Sequence, residues 1–352
     1  MSKKLGLDAF NLEMSSEVPH TEYSAHFHWK LVNAVTGSDI TPDSDVEKQQ
    51  RATSKFVEDW DYSFMYNTPV DDFIFGEKKS KMGHAVFADG GVDFCNEKKE
   101  LFQEPEDIYE FDFYEQYGER NPKEIANYFN ENCNNQINKY PNCVNTTGTY
   151  VTGISGLIEI CGWDMLLLAA GQDYKKFGEF MCRYGQWMQQ YFEGLALSDV
   201  PIVSVHDDIV WTDGPFLPKE WYETYLFPQY KKYFQPLKEN GKKILYICDG
   251  NYTSLVDDIA QCGVNGFVME PSTNLQYIAD NYGKTHVMIG NADTRTLLLG
   301  TKEDIYKEVK RCMDIGKCYP GYIMAVGNHI PSNTPIDNAR YYMDAYRAYR
   351  KR

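Results

Sequence analysis

From about residue 150 onward, short apolar or β-branched runs alternate with longer segments whose apolar residues recur at helical spacing. This alternation is typical of strand–helix units that repeat to build a parallel sheet. The predicted helices include residues 218–237 and 302–315. The predicted strands of this region are residues 150–154, 201–205, 243–247, 266–269, 287–289 and 322–326.

The earlier part of the chain adds two candidate strands, residues 62–66 and 84–88. Together with the six later runs they make eight, the number of strands in a (β/α)8 barrel. The sequence therefore predicts an α/β protein with a (β/α)8 TIM-barrel fold. We expect one domain over residues 1–352, with a helical N-terminal elaboration over residues 1–60 and the barrel over residues 61–346.

Polar residues follow several of the predicted strands directly. In a parallel barrel such residues converge on one mouth, where catalytic groups lie. The candidates for acid–base catalysis are His206, Asp208 and Asp249. The candidates for substrate binding are Glu159, Trp163, Asn251, Asn291 and Asp293. A structural role stays open for each, because aspartates after strands often cap the next helix and a tryptophan at a barrel rim is often buried.

Three further residues at predicted strand ends could hold a metal ion. Cys248, Glu270 and His329 offer sulfur, oxygen and nitrogen donors, and three such ligands with an open fourth position would make a catalytic zinc site. The alternatives are that Cys248 only packs and that the same mouth works by proton transfer without a metal.

Composition excludes several classes of function. A formal net charge of −16 makes nucleic acid an unexpected partner. The longest apolar runs fall short of the roughly 20 residues needed to cross a bilayer, so no membrane span is expected. The first residues show no apolar leader, which predicts a cytoplasmic protein. Neither a GxGxxG nor a Walker A sequence occurs, so a nucleotide cofactor is not indicated.

Two sequence segments carry a family resemblance. Residues 290–298 (GNADTRTLL) and residues 320–335 (PGYIMAVGNHIPSNTP) resemble motifs of the uroporphyrinogen decarboxylase superfamily. The resemblance extends over residues 150–346 and implies a single (β/α)8 barrel. That superfamily contains decarboxylases and zinc-dependent methyltransferases that serve corrinoid proteins.

The decarboxylase branch is similar only in part. Its members have an arginine-rich loop near the first strand that would hold the propionates of a porphyrinogen, whereas this chain has no arginine before Arg51. Eight carboxylates without such a loop would be poorly compensated in a chain of net charge −16. The resemblance therefore does not favour uroporphyrinogen as the substrate.

The methyltransferase branch is also matched in part. In its members a zinc ion binds a thiol substrate through a His-x-Cys pair after the fifth strand and a cysteine near the eighth. Here Cys248 is kept, Tyr246 replaces the histidine, and Asn328 beside His329 stands where the second cysteine is expected. Glu270 is similar in position to a glutamate ligand of the related methionine synthases.

The leading functional prediction is a corrinoid-linked methyltransferase with a small-molecule substrate and a corrinoid carrier protein as partner, and zinc is left open as its metal. The alternatives are decarboxylation of uroporphyrinogen or of another carboxylated small molecule, and a non-catalytic barrel that only binds a corrinoid or its carrier. A homodimer is left open by the sequence.

Overall fold

The computed structural model describes residues 2–69, 72–80 and 100–352. The predicted strand at residues 84–88 lies outside the described residues. The strands are β1 (Phe64–Met65), β2 (Val144–Asn145), β3 (Thr147–Thr149), β4 (Ile202–His206), β5 (Val210–Trp211), β6 (Gly214–Pro215), β7 (Lys243–Cys248), β8 (Gly266–Met269), β9 (Val287–Ile289) and β10 (Tyr322–Ile323).

Helices precede, connect and follow these strands. They are α1 (Ser2–Phe10), α2 (Trp29–Thr36), α3 (Val46–Asp59), α4 (Pro105–Glu110), α5 (Phe113–Tyr117), α6 (Pro122–Lys139), α7 (Ile154–Gln172), α8 (Tyr174–Leu197), α9 (Lys219–Trp221), α10 (Phe227–Glu239), α11 (Val256–Cys262), α12 (Leu275–Tyr282), α13 (Thr294–Leu299), α14 (Lys302–Gly316) and α15 (Ile336–Tyr349). The predicted helices at residues 218–237 and 302–315 are confirmed, because a π-helical turn joins α9 to α10 and α14 covers the second range.

The central sheet is parallel and has the strand order β10-β9-β8-β7-β4-β3. A separate parallel pair consists of β1 and β2, which precede the central sheet in the chain. β5 and β6 form a short antiparallel hairpin after β4. The prediction of a parallel α/β sheet with helices between its strands is therefore confirmed.

A closed eight-stranded barrel is not formed by these regular strands. Single parallel bridges join His20 to Tyr62, next to β1, and to Met324, next to β10. The main chain supports both bridges, since Ser63 N donates to His20 O at 2.7 Å and Thr21 N donates to Met324 O at 3.0 Å. The segment around His20, predicted as part of a helical elaboration, thus lies between the β10 edge of the central sheet and β1 of the separate β1–β2 pair.

The predicted strand at residues 150–154 is wrong. The strand lies earlier, at β3, and α7 already begins at Ile154. Two threonines supply the β-branched character of β3, and Gly148 allows a close approach, because a Cβ there would lie 1.8 Å from Ser204 O. Residues 150–153 are therefore the loop after a strand.

Side chains of the sheet alternate between two apolar layers, as the pleat of a strand requires. One layer, inside the curved sheet, contains Ile202, Leu245, Ile247, Val287, Ile289 and Ile323. The other, between sheet and helices, contains Val203, Val205, Tyr246, Cys248, Phe267 and Met288. At the carboxyl ends of these strands, the side chains on the inner face line the cavity that forms the candidate functional site.

Among the described residues, α7 is the one helix long and apolar enough to meet the length and composition of a membrane span, which the sequence did not predict. Buried positions make up 61% of its apolar window, as in a core helix of a globular protein. The helix is also interrupted at Gly162, whose φ of 71° and ψ of 162° are not helical.

Candidate functional site

A cavity of about 730 Å³ opens at the carboxyl ends of the parallel strands. Its strand-end wall contains His206, Asp208 and Asp249, together with Asn328 and His329. Its other wall comes from α2, α3 and α6, which precede most of the central sheet in the chain. Cavities of this size and position are the usual place for a small-molecule site in an α/β fold.

Three predicted catalytic residues come together in this cavity. The ligand atoms of His206, Asp208 and Asp249 all lie within 4.8 Å of one another. His206 Nε2 lies 2.9 Å from Asp208 Oδ1, and the same oxygen accepts a hydrogen bond from Asp249 N at 3.1 Å. Tyr150 adds its ring, with its centroid 4.2 Å from that of His206.

Burial and charge set the protonation of this group. Burial disfavours the His206 cation, but attraction by Asp208 and Asp249 outweighs it and raises the pKa of His206 to about 9. Burial opposes ionisation of Asp208 as well, yet His206 lowers the pKa of Asp208. Burial and repulsion by Asp208 raise the pKa of Asp249 to about 8. At neutral pH the group thus holds an imidazolium–carboxylate pair beside a protonated carboxyl.

Asn328 connects two carboxylates of neighbouring strand ends. Its Nδ2 donates to Glu270 Oε1 at 2.6 Å and to Asp249 Oδ2 at 3.2 Å. The other oxygen of Glu270, Oε2, accepts from Gly250 N at 2.8 Å. Glu270 therefore holds the turn after β7 and, through Asn328, the orientation of Asp249.

Asp207 faces away from the cavity and locks the other side of the turn. Its Oδ1 accepts from Ser155 N at 2.6 Å, and Ser155 Oγ accepts from Asp208 N at 2.8 Å. Its Oδ2 accepts from Tyr230 OH. The carboxylate of Asp207 thereby caps α7, whose own preceding residue, Gly153, has no side chain to do so. The hydrogen bonds between Asp207, Asp208 and Ser155 fix the backbone that carries Asp208.

The predicted metal trio of Cys248, Glu270 and His329 is not brought together. Cys248 lies in the layer between sheet and helices, because it shares the strand face of Tyr246, and its buried thiol has a pKa raised well above the usual value. Glu270 is held by Asn328 and Gly250. The group of potential ligands that the described residues do bring together is His206, Asp208 and Asp249.

His329 lines the cavity without joining that group. Its Nδ1 lies 2.7 Å from Ser24 Oγ, and its ring packs edge-on against Tyr23 with centroids 4.7 Å apart. Burial, and then repulsion by His206, lower the pKa of His329 to about 4. A neutral imidazole therefore borders the charged group at neutral pH.

The predicted substrate-binding residues lie outside the cavity lining and make structural contacts. Glu159 lies 3.8 Å from Lys79 Nζ, and Trp163 packs edge-on against Phe216. Asn251 accepts from Thr253 N and Oγ1. Their role in binding substrate stays a prediction.

The other two predicted substrate-binding residues hold backbone elsewhere. Asn291 Nδ2 donates to the main-chain oxygens of Glu270 and Thr273. Asp293 caps α13 and pairs with Arg295 at 2.7 Å. For these residues too, contact with substrate stays a prediction.

The clustered residues fit a divalent metal ion. They offer one imidazole nitrogen and two carboxylate oxygens, donors that zinc and other first-row divalent ions accept once metal binding has released the protons of His206 and Asp249. The Nδ1 atom of His206 is buried and has no hydrogen-bond partner within the described residues. A buried polar atom left without a partner often marks a place for water or an ion. Both the donor set and the spacing of ligand atoms therefore suit such an ion.

Tyr150 and Asn328 were not predicted as site residues. Tyr150 follows β3 directly and hydrogen-bonds Asp208. It could therefore have been predicted from the rule that residues directly after parallel strands meet at one mouth, here called the strand-end rule, if the threonine-rich strand had been recognised. Asn328 follows the last strand and could have been found by the same rule. No sequence signal marks Tyr23 and Ser24, because the short segment that carries them has no apolar run.

Comparison with known proteins identifies relatives of two kinds. A sequence model described as "Uroporphyrinogen decarboxylase (URO-D)" matches residues 152–349. A uroporphyrinogen decarboxylase of Carboxydothermus hydrogenoformans is 26% identical over 166 residues, 47% of this chain and 46% of the relative. The methylcobamide:CoM methyltransferase MtbA of Methanosarcina acetivorans is 30% identical over 133 residues, 37% of this chain and 38% of the relative. The chain thus spans less than half the length of these curated relatives.

A solved structure described as a methyltransferase from Methanosarcina mazei matches over nearly the whole chain. The TM-score is 0.61 at 14% sequence identity, and the match covers 99% of this chain and 98% of the other. At this identity the likeness concerns the fold alone, and it includes the N-terminal region that the family match leaves out.

Proposed function

Because the chain belongs to the uroporphyrinogen decarboxylase superfamily, we propose that it is an enzyme that transfers a methyl group between a corrinoid and a small thiol or similar acceptor. The observation that carries the proposal is the His206–Asp208–Asp249 group, which offers a metal-ligand set at the strand ends. The partners would be a small-molecule substrate and a corrinoid carrier protein. A cytoplasmic location and a homodimer stay predictions.

The same three residues would hold a divalent ion, with zinc as the proposed metal. Zinc, when bound, lowers the pKa of a coordinated thiol and so supplies a thiolate at neutral pH. Asn328 and Glu270 would keep Asp249 in its orientation through their hydrogen bonds. Tyr150, whose pKa burial raises, would stay a hydrogen-bond donor to Asp208 across the neutral range.

The charge of the cavity favours methyl transfer over decarboxylation of a porphyrinogen. Among the described lining residues, Lys139 is the one lysine or arginine, and two aspartates lie at the strand ends. A substrate with eight carboxylates would meet too little positive charge to offset its desolvation. A soft neutral acceptor or a thiol avoids this cost.

The test is thiol-dependent demethylation of methylcobalamin by zinc-loaded protein, followed by its visible spectrum and by detection of the methyl thioether. We expect Asp249→Asn to lower the rate by about 100-fold or more, the scale of losing a positioned ligand or acid–base group. Asp314→Asn is the matched control, because Asp314 is exposed on α14 and paired with Lys310. Absence of turnover with every thiol, or equal rates in Asp249→Asn and wild type, would contradict the proposal.

Decarboxylation of a smaller carboxylic acid is the second candidate. It is favoured by the protonation of the site, since an imidazolium at His206 could bind one carboxylate and the protonated Asp249 could donate a proton. Release of carbon dioxide from a carboxylated substrate without a metal requirement would support it. Metal-dependent methyl transfer without carbon dioxide release would reject it.

We further propose that the sheet is a (β/α)8 barrel in which the segment around His20 takes the first strand position. The support is its bridges to Tyr62 and Met324 and the fold likeness to the M. mazei methyltransferase. This arrangement would place Ser24 and Tyr23 directly after the first strand, at the same mouth as the strand-end residues.

A further inference from the structure

The cavity has a second half that the strand-end group does not use. It is lined by side chains of α2, α3 and α6 and of the short turn before α2. We call its neutral amides the amide wall, which consists of Gln49, Gln50, Asn132, Asn135 and Gln136. Phe27 and Trp29 lie beside this wall, and Phe27 is 54% exposed. This half therefore offers hydrogen-bonding groups and aromatic surface with little charge.

The amide wall has unused hydrogen-bonding capacity. Asn132 and Gln136 lie one turn apart on α6, and each donates one bond to a main-chain oxygen, Asn132 to Tyr128 and Gln136 to Tyr66. Within the described residues, neither side-chain oxygen accepts a hydrogen bond, and the Asn135 side chain makes none. An amide offers two N–H donors and one carbonyl acceptor, so the wall can both donate and accept.

Neutral groups of this kind select a neutral ligand. A ligand group with several negative charges would meet a single lysine, Lys139, among the described lining residues. A cationic group would meet no carboxylate in the wall itself. Carboxamides, in contrast, pair with amide side chains donor to acceptor, without the cost of burying a charge. A cavity of about 730 Å³ also exceeds the space that a small thiol would fill.

We propose that the amide wall binds the carboxamide side chains at the edge of a corrin ring. This inference rests on the proposed function, because it takes the methyl donor to be a corrinoid. The edge of a corrin carries several carboxamides and its ring is apolar, which matches amides beside Phe27 and Trp29. The bound ring would then lie between α6 and the strand ends, next to the acceptor site.

The experiment compares two corrinoids that differ at the ring edge. Diaquocobinamide carries carboxamides, whereas cobyrinic acid heptamethyl ester carries methyl esters that cannot donate. Equilibrium dialysis should show that diaquocobinamide binds at least about 10-fold more tightly, the effect expected when several amide donors are lost. Asn132→Leu/Gln136→Leu should weaken its binding by about 10-fold and weaken binding of the ester less, because the ester carbonyls can accept hydrogen bonds but the esters cannot donate any.

The matched control is Asn127→Leu/Asn134→Leu, a pair of exposed amides on the same helix outside the cavity lining, which should bind both corrinoids as wild type does. Equal affinity for the two corrinoids, or unchanged binding in the wall variant, would overturn the inference. Asp249→Asn separates this result from the proposed function, because it should lower the rate of turnover by about 100-fold or more and keep diaquocobinamide binding. If the wall variant keeps turnover and binds diaquocobinamide as tightly as wild type, the inference about the amide wall is rejected and the proposed function is not.

Discussion

Glu22 is the residue that ties the N-terminal segment to the site. Its carboxylate is 1% exposed and accepts hydrogen bonds from Val326 N at 3.2 Å and from Tyr342 OH. His20 Nε2 lies 2.9 Å from the same group. Because Val326 directly precedes the turn that carries Asn328, Glu22 positions the amide that holds Asp249.

Replacing Tyr342 tests this positioning. Tyr342→Phe removes one donor from Glu22 and should lower the free energy of unfolding by about 1–3 kcal/mol, the cost of a buried acceptor left with fewer partners. We expect kcat to fall as well, with KM changed less. Tyr346→Phe is the control, since Tyr346 lies one turn along α15 and donates to Val18 O. Urea unfolding and kinetics on both variants check this, and equal loss of kcat in both would contradict a positioning role.

His26 should make the protein sensitive to acid. Burial lowers the pKa of His26 to about 3, so it stays neutral in the folded protein while the unfolded chain takes up a proton below about pH 6.5. Its contribution to stability is therefore lost as pH falls through this window, at about 1.4 kcal/mol per pH unit. Between pH 6.5 and pH 5, urea unfolding should show a smaller loss in the free energy of unfolding for His26→Phe than for wild type. Parallel loss in both proteins would contradict this expectation.

At the residue scale, the strand-end rule was enough to predict the clustered side chains but not which neighbours face them. His206, Asp208 and Asp249 follow buried strands and meet at one mouth. The strand-end position of Cys248 favours a metal ligand, but its side chain alternates with those of Ile247 and Asp249 and so faces the helices. The period of two along β7 contained this information.

At the element scale, strands rich in Val, Ile and Leu were predictable and polar ones were not. β4, β7, β8 and β9 are buried runs of apolar residues, so sequence and structure agree to within a residue or two. β2 and β3 consist of Val, Asn, Thr and Gly, and are buried because neighbouring strands cover them. The segment around His20 is recognisable only from its tertiary pairing.

The break in α7 gives a prediction at the same scale. Gly162 has φ 71° and ψ 162°, a conformation that residues with a Cβ avoid. Gly162→Ala should therefore lower the free energy of unfolding by about 1–3 kcal/mol. Gly171→Ala, in the same helix with open space around its Cβ position, should be neutral or stabilising by about 0.5–1 kcal/mol. Thermal unfolding of both variants is the measurement, and similar melting temperatures would contradict the assigned conformation.

At the scale of the whole molecule, the acidic balance of the chain is consistent with a site that holds a cation. The net charge is −16, and two aspartates lie at the strand-end wall of the cavity. A divalent ion that binds only the folded state should stabilise it by about 2.7 kcal/mol at 100 times its dissociation constant. Dialysis against a chelator should lower the Tm, and added zinc should restore it in wild type but not in Asp208→Asn. Identical Tm values with and without zinc would contradict this.

The most direct test of the metal site is the metal content of protein purified without chelator, measured by elemental mass spectrometry for wild type, Asp249→Asn and Cys248→Ser. We predict about one divalent ion per chain in wild type and in Cys248→Ser, because Cys248 faces the helices, and loss of the ion in Asp249→Asn. Loss of the ion in Cys248→Ser with retention in Asp249→Asn would contradict the His206–Asp208–Asp249 site and favour a metal bound by the thiolate of Cys248.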